Sequence, residues 1–120
     1  MPMPRRVKLD PLTDSLRRLA PKTDLDPRDI ARIMGTTPRT ATRWLSSQAK
    51  PRAGSVRRLT DVVAVLDRLS TVMKPAAARI WLFAPNEQLD RSTPAEAIRN
   101  GRFELVLEII DGLMTVASAP

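Results

Sequence analysis

One short segment of the chain carries residue types that bind anions and base edges. Residues 35–52, GTTPRTATRWLSSQAKPR, hold four basic side chains and a run of small hydroxyl side chains. An arginine can donate two parallel hydrogen bonds to the edge of a guanine, and basic and hydroxyl side chains both bind phosphate oxygens. The chemistry that this segment favours is therefore recognition of nucleic acid.

Two short helices are predicted to present the segment. The first, over residues 27–34, has Asp26 as its N-cap and Pro27 at its first position. Gly35 ends this helix, because glycine takes a positive φ without steric cost. The second, over residues 38–47, begins with the same device of a capping residue followed by proline.

Apolar spacing assigns two faces to the second helix. Ala41, Trp44 and Leu45 follow i, i+3, i+4 spacing and are expected to face inward. Residues 50–58, KPRAGSVRR, are expected to form a link that grips the DNA backbone without reading sequence, or else a solvated basic linker. The predicted DNA-binding residues are the outward and basic ones: Thr37, Arg39, Thr40, Thr42, Arg43, Ser46, Lys50, Arg52 and Arg57.

The spacing of small and apolar residues resembles the Cro/repressor-like (Xre) helix-turn-helix. Ala31 lies four residues before Gly35, where the two helices would touch, and Ala41 and Trp44 lie six and nine residues after it. The resemblance covers about residues 24–50. It departs one residue after the glycine, where a threonine stands in place of the usual apolar residue. An ordinary helical hairpin with a solvated basic face is the alternative.

Net charge supports the DNA-binding interpretation. The chain of 120 residues has a formal net charge of +7 and a pI near 11.2, which is typical of proteins that bind nucleic acid or anionic surfaces. The charge is uneven: residues 1–75 hold 16 Lys and Arg against 7 Asp and Glu, whereas residues 76–120 hold 4 against 6. The basic half suits a phosphate backbone and the other half does not.

Several other classes of protein are excluded by composition. The chain has no Cys and no His, which removes zinc fingers, disulfides, thiol nucleophiles and imidazole catalysis. Its four glycines form no phosphate-binding loop, its N-terminus lacks the apolar stretch of a signal peptide, and no apolar run could span a membrane. We expect a cytoplasmic protein that is not an enzyme and that has no catalytic residues, metal site, cofactor or membrane partner.

Prolines mark the expected helix starts. Pro11, Pro27, Pro38, Pro75 and Pro94 each follow a capping or boundary residue, and proline at the first helical position sacrifices no hydrogen bond. No segment alternates with a period of two, so the predicted fold class is all-α. The predicted helices cover residues 11–20, 27–34, 38–47, 55–73, 75–83, 94–100 and 102–116.

Two of these helices are apolar over wide arcs. The helices at 55–73 and 102–116 each carry apolar residues on more than one face. Either the two halves of the chain pack into one core, or a second chain covers the remainder. We expect the second arrangement, in the form of a homodimer or a higher hetero-oligomer.

The C-terminal half carries a second resemblance, in the run IWLFAPNEQLDRSTPAEAIRNGRFELVLEIID. Its marker residues are Trp81, Leu82, Pro85, Asn86, Leu89, Thr93, Pro94, Ile98 and Gly101. Each has a local role: for example, Thr93 and Glu96 make a capping box, and Gly101 ends a short helix. Together they resemble the toxin-binding domain of Xre/MbcA/ParS-type antitoxins, in particular MbcA-like ones.

This resemblance, which runs from about residue 24 to 113, implies both organisation and function. We expect a disordered arm at 1–9, an Xre-like DNA-binding lobe with a linker helix at 10–73, and a small helical lobe at 74–120, to which the resemblance assigns toxin binding and dimerisation. Such antitoxins belong to type II systems, repress their own operon through operator DNA and neutralise a RES-domain toxin that consumes NAD. The residues expected to bind toxin are Asn86, Arg99, Arg102, Leu113, Met114 and Val116.

Three other functions remain open from the sequence. The chain could be a stand-alone transcription regulator whose C-terminal lobe only dimerises or senses a ligand. It could be a partition-type or chromosome-associated DNA binder, or an adaptor whose helix-turn-helix has lost DNA binding. A neighbouring gene for a RES-type toxin would favour the antitoxin over all three.

Overall fold

The described part of the chain is entirely helical, as predicted. The structure, a computed structural model, describes residues 10–117, and the side chains of residues 116 and 117 are not described. The expected arm at 1–9 and the side chain of Val116 lie outside the described residues. The α-helices are α1 (Pro11–Leu19), α2 (Pro27–Met34), α3 (Pro38–Leu45), α4 (Ala53–Val72), α5 (Pro75–Phe83), α6 (Pro94–Arg99) and α7 (Phe103–Ala117), with 3-10 turns at Pro21–Thr23 and Glu87–Leu89.

The proline rule places five helix starts correctly. Helices α1, α2, α3, α5 and α6 each begin at the predicted proline. Asp10, Asp26, Thr37 and Thr93 cap four of them with a side-chain oxygen that accepts a backbone N–H. Lys74 provides no such bond to α5. Local capping chemistry therefore determines most of the helix boundaries.

Two predicted boundaries are wrong by two residues, and the other differences are one residue. Helix α4 begins at Ala53, so most of the expected link at 50–58 is helical; its N-cap residue Arg52 makes no side-chain bond that would mark the start. Helix α3 ends at Leu45 rather than at 47. The hydroxyl of Ser46 donates to the carbonyl of Thr42 at 2.8 Å, and Ser47 takes a φ of 62°, which ends the helix.

Helix α4 lies at the centre and is packed by both halves of the chain. Its inner residues contact α1 and α2 on one side and α7 on the other. The buried apolar side chains of α1 to α7 form a single cluster. The fully buried apolar residues of α4 and α7 are Leu59, Val62, Val65, Leu66, Leu69, Val106 and Ile110.

Much of the cover that the apolar faces of helices 55–73 and 102–116 require comes from within the chain, because α4 and α7 pack against each other. Within residues 10–117, the exposed large apolar side chains are only Val56, Ile80 and Met114, at 40%, 69% and 37%. Val56 lies on α4 and Met114 on α7, and the expected second chain stays a prediction.

An ion pair between distant residues joins the two halves. The carboxylate of Asp29 in α2 accepts the backbone N–H of Asp26 at 3.0 Å and also pairs with the guanidinium of Arg79 in α5. Arg79 and Arg32 both lie over the ring of Phe83, with 5.6 and 4.4 Å between guanidinium carbon and ring centroid. Asp29 is only 3% exposed, so its charge is compensated within the protein rather than by water.

Candidate nucleic-acid interface and partner surface

Helices α2 and α3 are joined by a tight turn at Gly35. Gly35 has a φ of 72°, and its N–H donates to the carbonyl of Ala31 at 2.8 Å. Ala41 and Trp44 of α3 are buried, at 0% and 2% exposure, while Leu45 is half-buried. The opposite face of α3 consequently points to solvent.

That outward face has side chains available to bind. Arg39, Thr42 and Arg43 are exposed, and within residues 10–117 their side chains form neither an ion pair nor a hydrogen bond. Together with Gln48, which the sequence interpretation missed, they line a shallow hollow on the surface. Gln48 gave no signal in the sequence because it follows the end of the helix, where helical periodicity no longer applies.

Three of the predicted DNA-binding hydroxyls have local structural partners. The Thr37 oxygen accepts the N–H of Thr40 at 3.2 Å, and its hydroxyl donates to the Thr40 oxygen at 3.0 Å. The hydroxyl of Ser46 donates to a carbonyl at the end of α3. Thr37 and Ser46 use their hydroxyl hydrogens at the two ends of α3, whereas Thr40 accepts its bond from Thr37 and its own O–H can still donate to an external group.

A basic cleft lies between α3 and the start of α4. It has a volume of about 350 Å³ and brings together predicted DNA-binding residues from different segments. Its lining comprises Thr36, Thr40, Arg43, Trp44, Ala49, Lys50, Arg52 and Ser55. Three cations and three hydroxyls around one cleft are chemically suited to a phosphate group.

Arg57 differs from the predicted DNA-binding arginines of α3 in having an ion-pair partner within the chain. Its Nε is 3.6 Å from a carboxylate oxygen of Asp61, one helical turn further along α4. Burial raises the pKa of Asp61, and the positive charges of Arg57 and Arg58 oppose that rise. Arg57 therefore neutralises a nearly buried carboxylate, which weakens its assignment to DNA.

Arg17 holds the end of α3 in place, and sequence reasoning missed it. Its Nε donates to the carbonyl of Leu45 at 2.9 Å, and its Nη2 donates to the Ser47 hydroxyl at 2.6 Å. Its Nη1 pairs with Asp14 at 3.1 Å. Arg17 thus fixes the C-terminal end of α3 from α1. The contacts span 28 and 30 residues, and no local pattern reveals them.

The residues expected to bind toxin are not gathered into one patch. Asn86 is half-buried and caps the second 3-10 turn by accepting the N–H of Gln88 at 2.9 Å. Arg99 and Arg102 are exposed near the start of α7, whereas Leu113 and Met114 lie towards its end. About 16 Å of helix separates these two groups, at 1.5 Å per residue.

Within the described residues, no helix is long and apolar enough to cross a membrane.

The chain resembles known proteins in sequence, although not through a protein-family model. No protein-family model matches the chain. The mycobacterial cidal antitoxin MbcA of Mycobacterium tuberculosis is 32% identical over 85 residues, covering 71% of this chain and 75% of MbcA. MbcA of Mycobacterium bovis matches to the same extent.

A solved structure matches over a longer stretch. One chain in the crystal structure of the M. tuberculosis MbcT–MbcA toxin–antitoxin complex superposes with a TM-score of 0.80 and 26% identity, covering 92% of this chain and 99% of that one. Both the sequence relatives and the fold therefore agree with the resemblance that the C-terminal half predicted. With this identity over three quarters of the relative's length, the chain belongs to the MbcA family of antitoxins.

Proposed function

We propose that this chain is the antitoxin of a type II toxin–antitoxin system. It binds and neutralises a cognate RES-domain toxin that consumes NAD, and it represses its own operon through the helix-turn-helix. It acts in the cytoplasm by binding rather than by catalysis. The observation that carries the proposal is the match of nearly the whole chain to a structure of a toxin–antitoxin complex.

The DNA-binding part of the proposal is supported by the surface of α3. Arg39, Thr42 and Arg43 project outward without intramolecular partners among the described residues, as groups that read base edges must. The adjacent cleft with Lys50 and Arg52 suits the backbone. We propose a two-fold dimer on a palindromic operator, with half-sites spaced by the dimer geometry. Light scattering at micromolar concentration tests the dimer, and a monomer that still represses would contradict it.

Substitution of the two outward arginines tests operator recognition. Arg39→Ala with Arg43→Ala removes two base-edge or phosphate contacts, worth roughly 1–3 kcal/mol each, so affinity for the DNA upstream of the operon falls at least about 30-fold. The double variant Arg18→Ala with Arg91→Ala removes the same charge from exposed positions and serves as the control. Circular dichroism verifies that both variants keep their helices. If Arg39→Ala with Arg43→Ala binds the operator as tightly as the wild type, α3 is not the recognition helix.

Truncation tests toxin neutralisation. Leu113 is half-buried and Met114 is 37% exposed at the end of α7, an apolar end that a partner would cover. Deleting residues 113–120 should weaken neutralisation and leave operator binding intact, because α3 lies elsewhere. The assay is co-expression with the neighbouring toxin, with growth and cellular NAD as readouts. Full rescue by the truncated protein would move the inhibitory contact upstream.

One outcome would favour a stand-alone transcription regulator instead. In that outcome, the full-length chain binds its operator but leaves the neighbouring toxin fully active. The DNA-binding part of the proposal would then stand, and the toxin-neutralising part would be wrong. Direct binding of the two purified proteins separates loss of contact from loss of inhibition.

A further inference from the structure

Arg99 belongs to the C-terminal half of the chain but lies against the helix-turn-helix. It is the last residue of α6, and its side chain covers the turn at Gly35 that joins α2 to α3. A Cβ atom built on Gly35 would lie 3.5 Å from Nε and 3.8 Å from Cγ of Arg99. The sequence resemblance assigned Arg99 to the toxin, but its position is beside α3.

The charge of Arg99 is not used inside the described part of the chain. Within residues 10–117, the ion pairs involve Arg17, Arg57, Arg68, Arg79 and Arg91, and Arg99 has none. The carboxylate of Glu96, which is the nearest along α6, is committed to capping the helix through Thr93. Arg99 is exposed, so its guanidinium can meet an external anion.

The turn that Arg99 covers lies, along the chain, between residues of two clefts. Thr36, the residue after Gly35, lines the cleft with Arg43, Lys50 and Arg52. Met34, the residue before Gly35, lines a second cleft of about 400 Å³ with Arg57, Arg58 and Asp61, and Ser55 lines both clefts. Arg99 is not among the lining residues of either cleft, but it lies against the glycine between Met34 and Thr36.

We propose that Arg99 binds a phosphate of the operator duplex at the edge of the site that α3 reads. The C-terminal half then contributes a backbone contact to DNA recognition, and Arg99 is a DNA-binding residue rather than a toxin-binding one. This inference rests on the proposed operator binding. The duplex is the occupant because Arg43, Lys50 and Arg52 line the cleft that begins beside the same turn, and a guanidinium binds phosphate oxygens in a bidentate manner.

The salt dependence of DNA binding tests this contact. Each phosphate neutralised contributes about 0.9 to the slope of log K against log salt concentration, so Arg99→Ala should lower the slope by about that amount per bound protomer. Affinity for the operator and for a scrambled duplex should fall by the same factor, because a phosphate contact carries no sequence information. Arg99→Lys should retain the slope. Arg91→Ala, an exposed arginine of the same half, is the matched control.

The outcomes separate this inference from the function on which it rests. If the wild-type chain binds no duplex, both the proposed operator binding and the phosphate contact of Arg99 are wrong. A wild-type chain that binds, with an unchanged slope in Arg99→Ala, overturns only the phosphate contact; reduced neutralisation in that variant would return Arg99 to the toxin surface. If Arg99→Ala does not fold, Arg99→Gln keeps most of the stem over Gly35 and gives the same slope measurement.

Discussion

Arg17 shows how one side chain can determine the position of a helix that it does not belong to. The last carbonyls of a helix have no partner within the helix, and here the Arg17 guanidinium, projecting from α1, satisfies one of them at Leu45. It also holds the Ser47 hydroxyl, where the backbone turns to a positive φ. The orientation of the α3 surface therefore depends on a residue outside the helix-turn-helix.

Replacing Arg17 should cost both stability and DNA affinity. Arg17→Ala removes the hydrogen bonds to Leu45 and Ser47, and we expect a loss of roughly 1–2 kcal/mol in the free energy of unfolding. Urea titration measures this loss, and operator titration should show a parallel decrease in affinity. Arg18→Ala, its exposed neighbour, should change stability by less than about 0.5 kcal/mol. An equal loss in both variants would show that the contacts of Arg17 are not specific.

Gly35 lies at a turn and Gly112 lies within a helix, so replacing each by alanine should have opposite effects on stability. Gly35 ends α2 with a φ of 72°, where an L-residue is strained, whereas Gly112 lies within α7 with no foreign atom within 4 Å of a built Cβ. Gly35→Ala should destabilise the protein by about 1–2 kcal/mol, and Gly112→Ala should stabilise it by about 0.5–1 kcal/mol. Thermal unfolding of both variants measures the pair. A stabilising Gly35→Ala would contradict the left-handed turn.

Among the secondary-structure elements, a helix boundary is predictable from the sequence where a capping side chain or a proline marks it. Thr37 with Pro38, and Thr93 with Glu96, mark helix starts that the structure confirms. The start of α4 was missed because no side chain caps it. The two 3-10 turns were missed because three residues are too short to give a periodic signal.

The whole molecule has one core, and this should appear as one unfolding transition. Trp44 reports on α3 and Trp81 on α5, and these are the only two tryptophans. In the single-tryptophan variants Trp44→Phe and Trp81→Phe, the urea midpoint from fluorescence should equal the midpoint from circular dichroism, because helices of both halves pack against α4. If the Trp81 signal changes before the helices are lost, the halves unfold separately.

Long-range contacts are the part of the candidate site that the sequence does not reveal. Asp29 and Arg79 are 50 residues apart, and Arg99 meets Gly35 from the other half of the chain. Neither pairing leaves a pattern in the sequence, because the two partners are far apart along the chain. A charged residue on a predicted helix is by default expected to contact only solvent. The predicted residues on α3 were found because helical periodicity defines a face without any knowledge of tertiary packing.

The shared core also has a consequence for how the protein is removed from a cell. A protease acts on the opened chain, and the buried side chains of both halves belong to one cluster, so opening one half should expose the other. Under the proposed function, the inhibitor of the toxin and the repressor of the operon are then degraded as one unit. Transcription of fresh antitoxin would resume at the same moment that the toxin is released, which makes recovery and intoxication start from a single event.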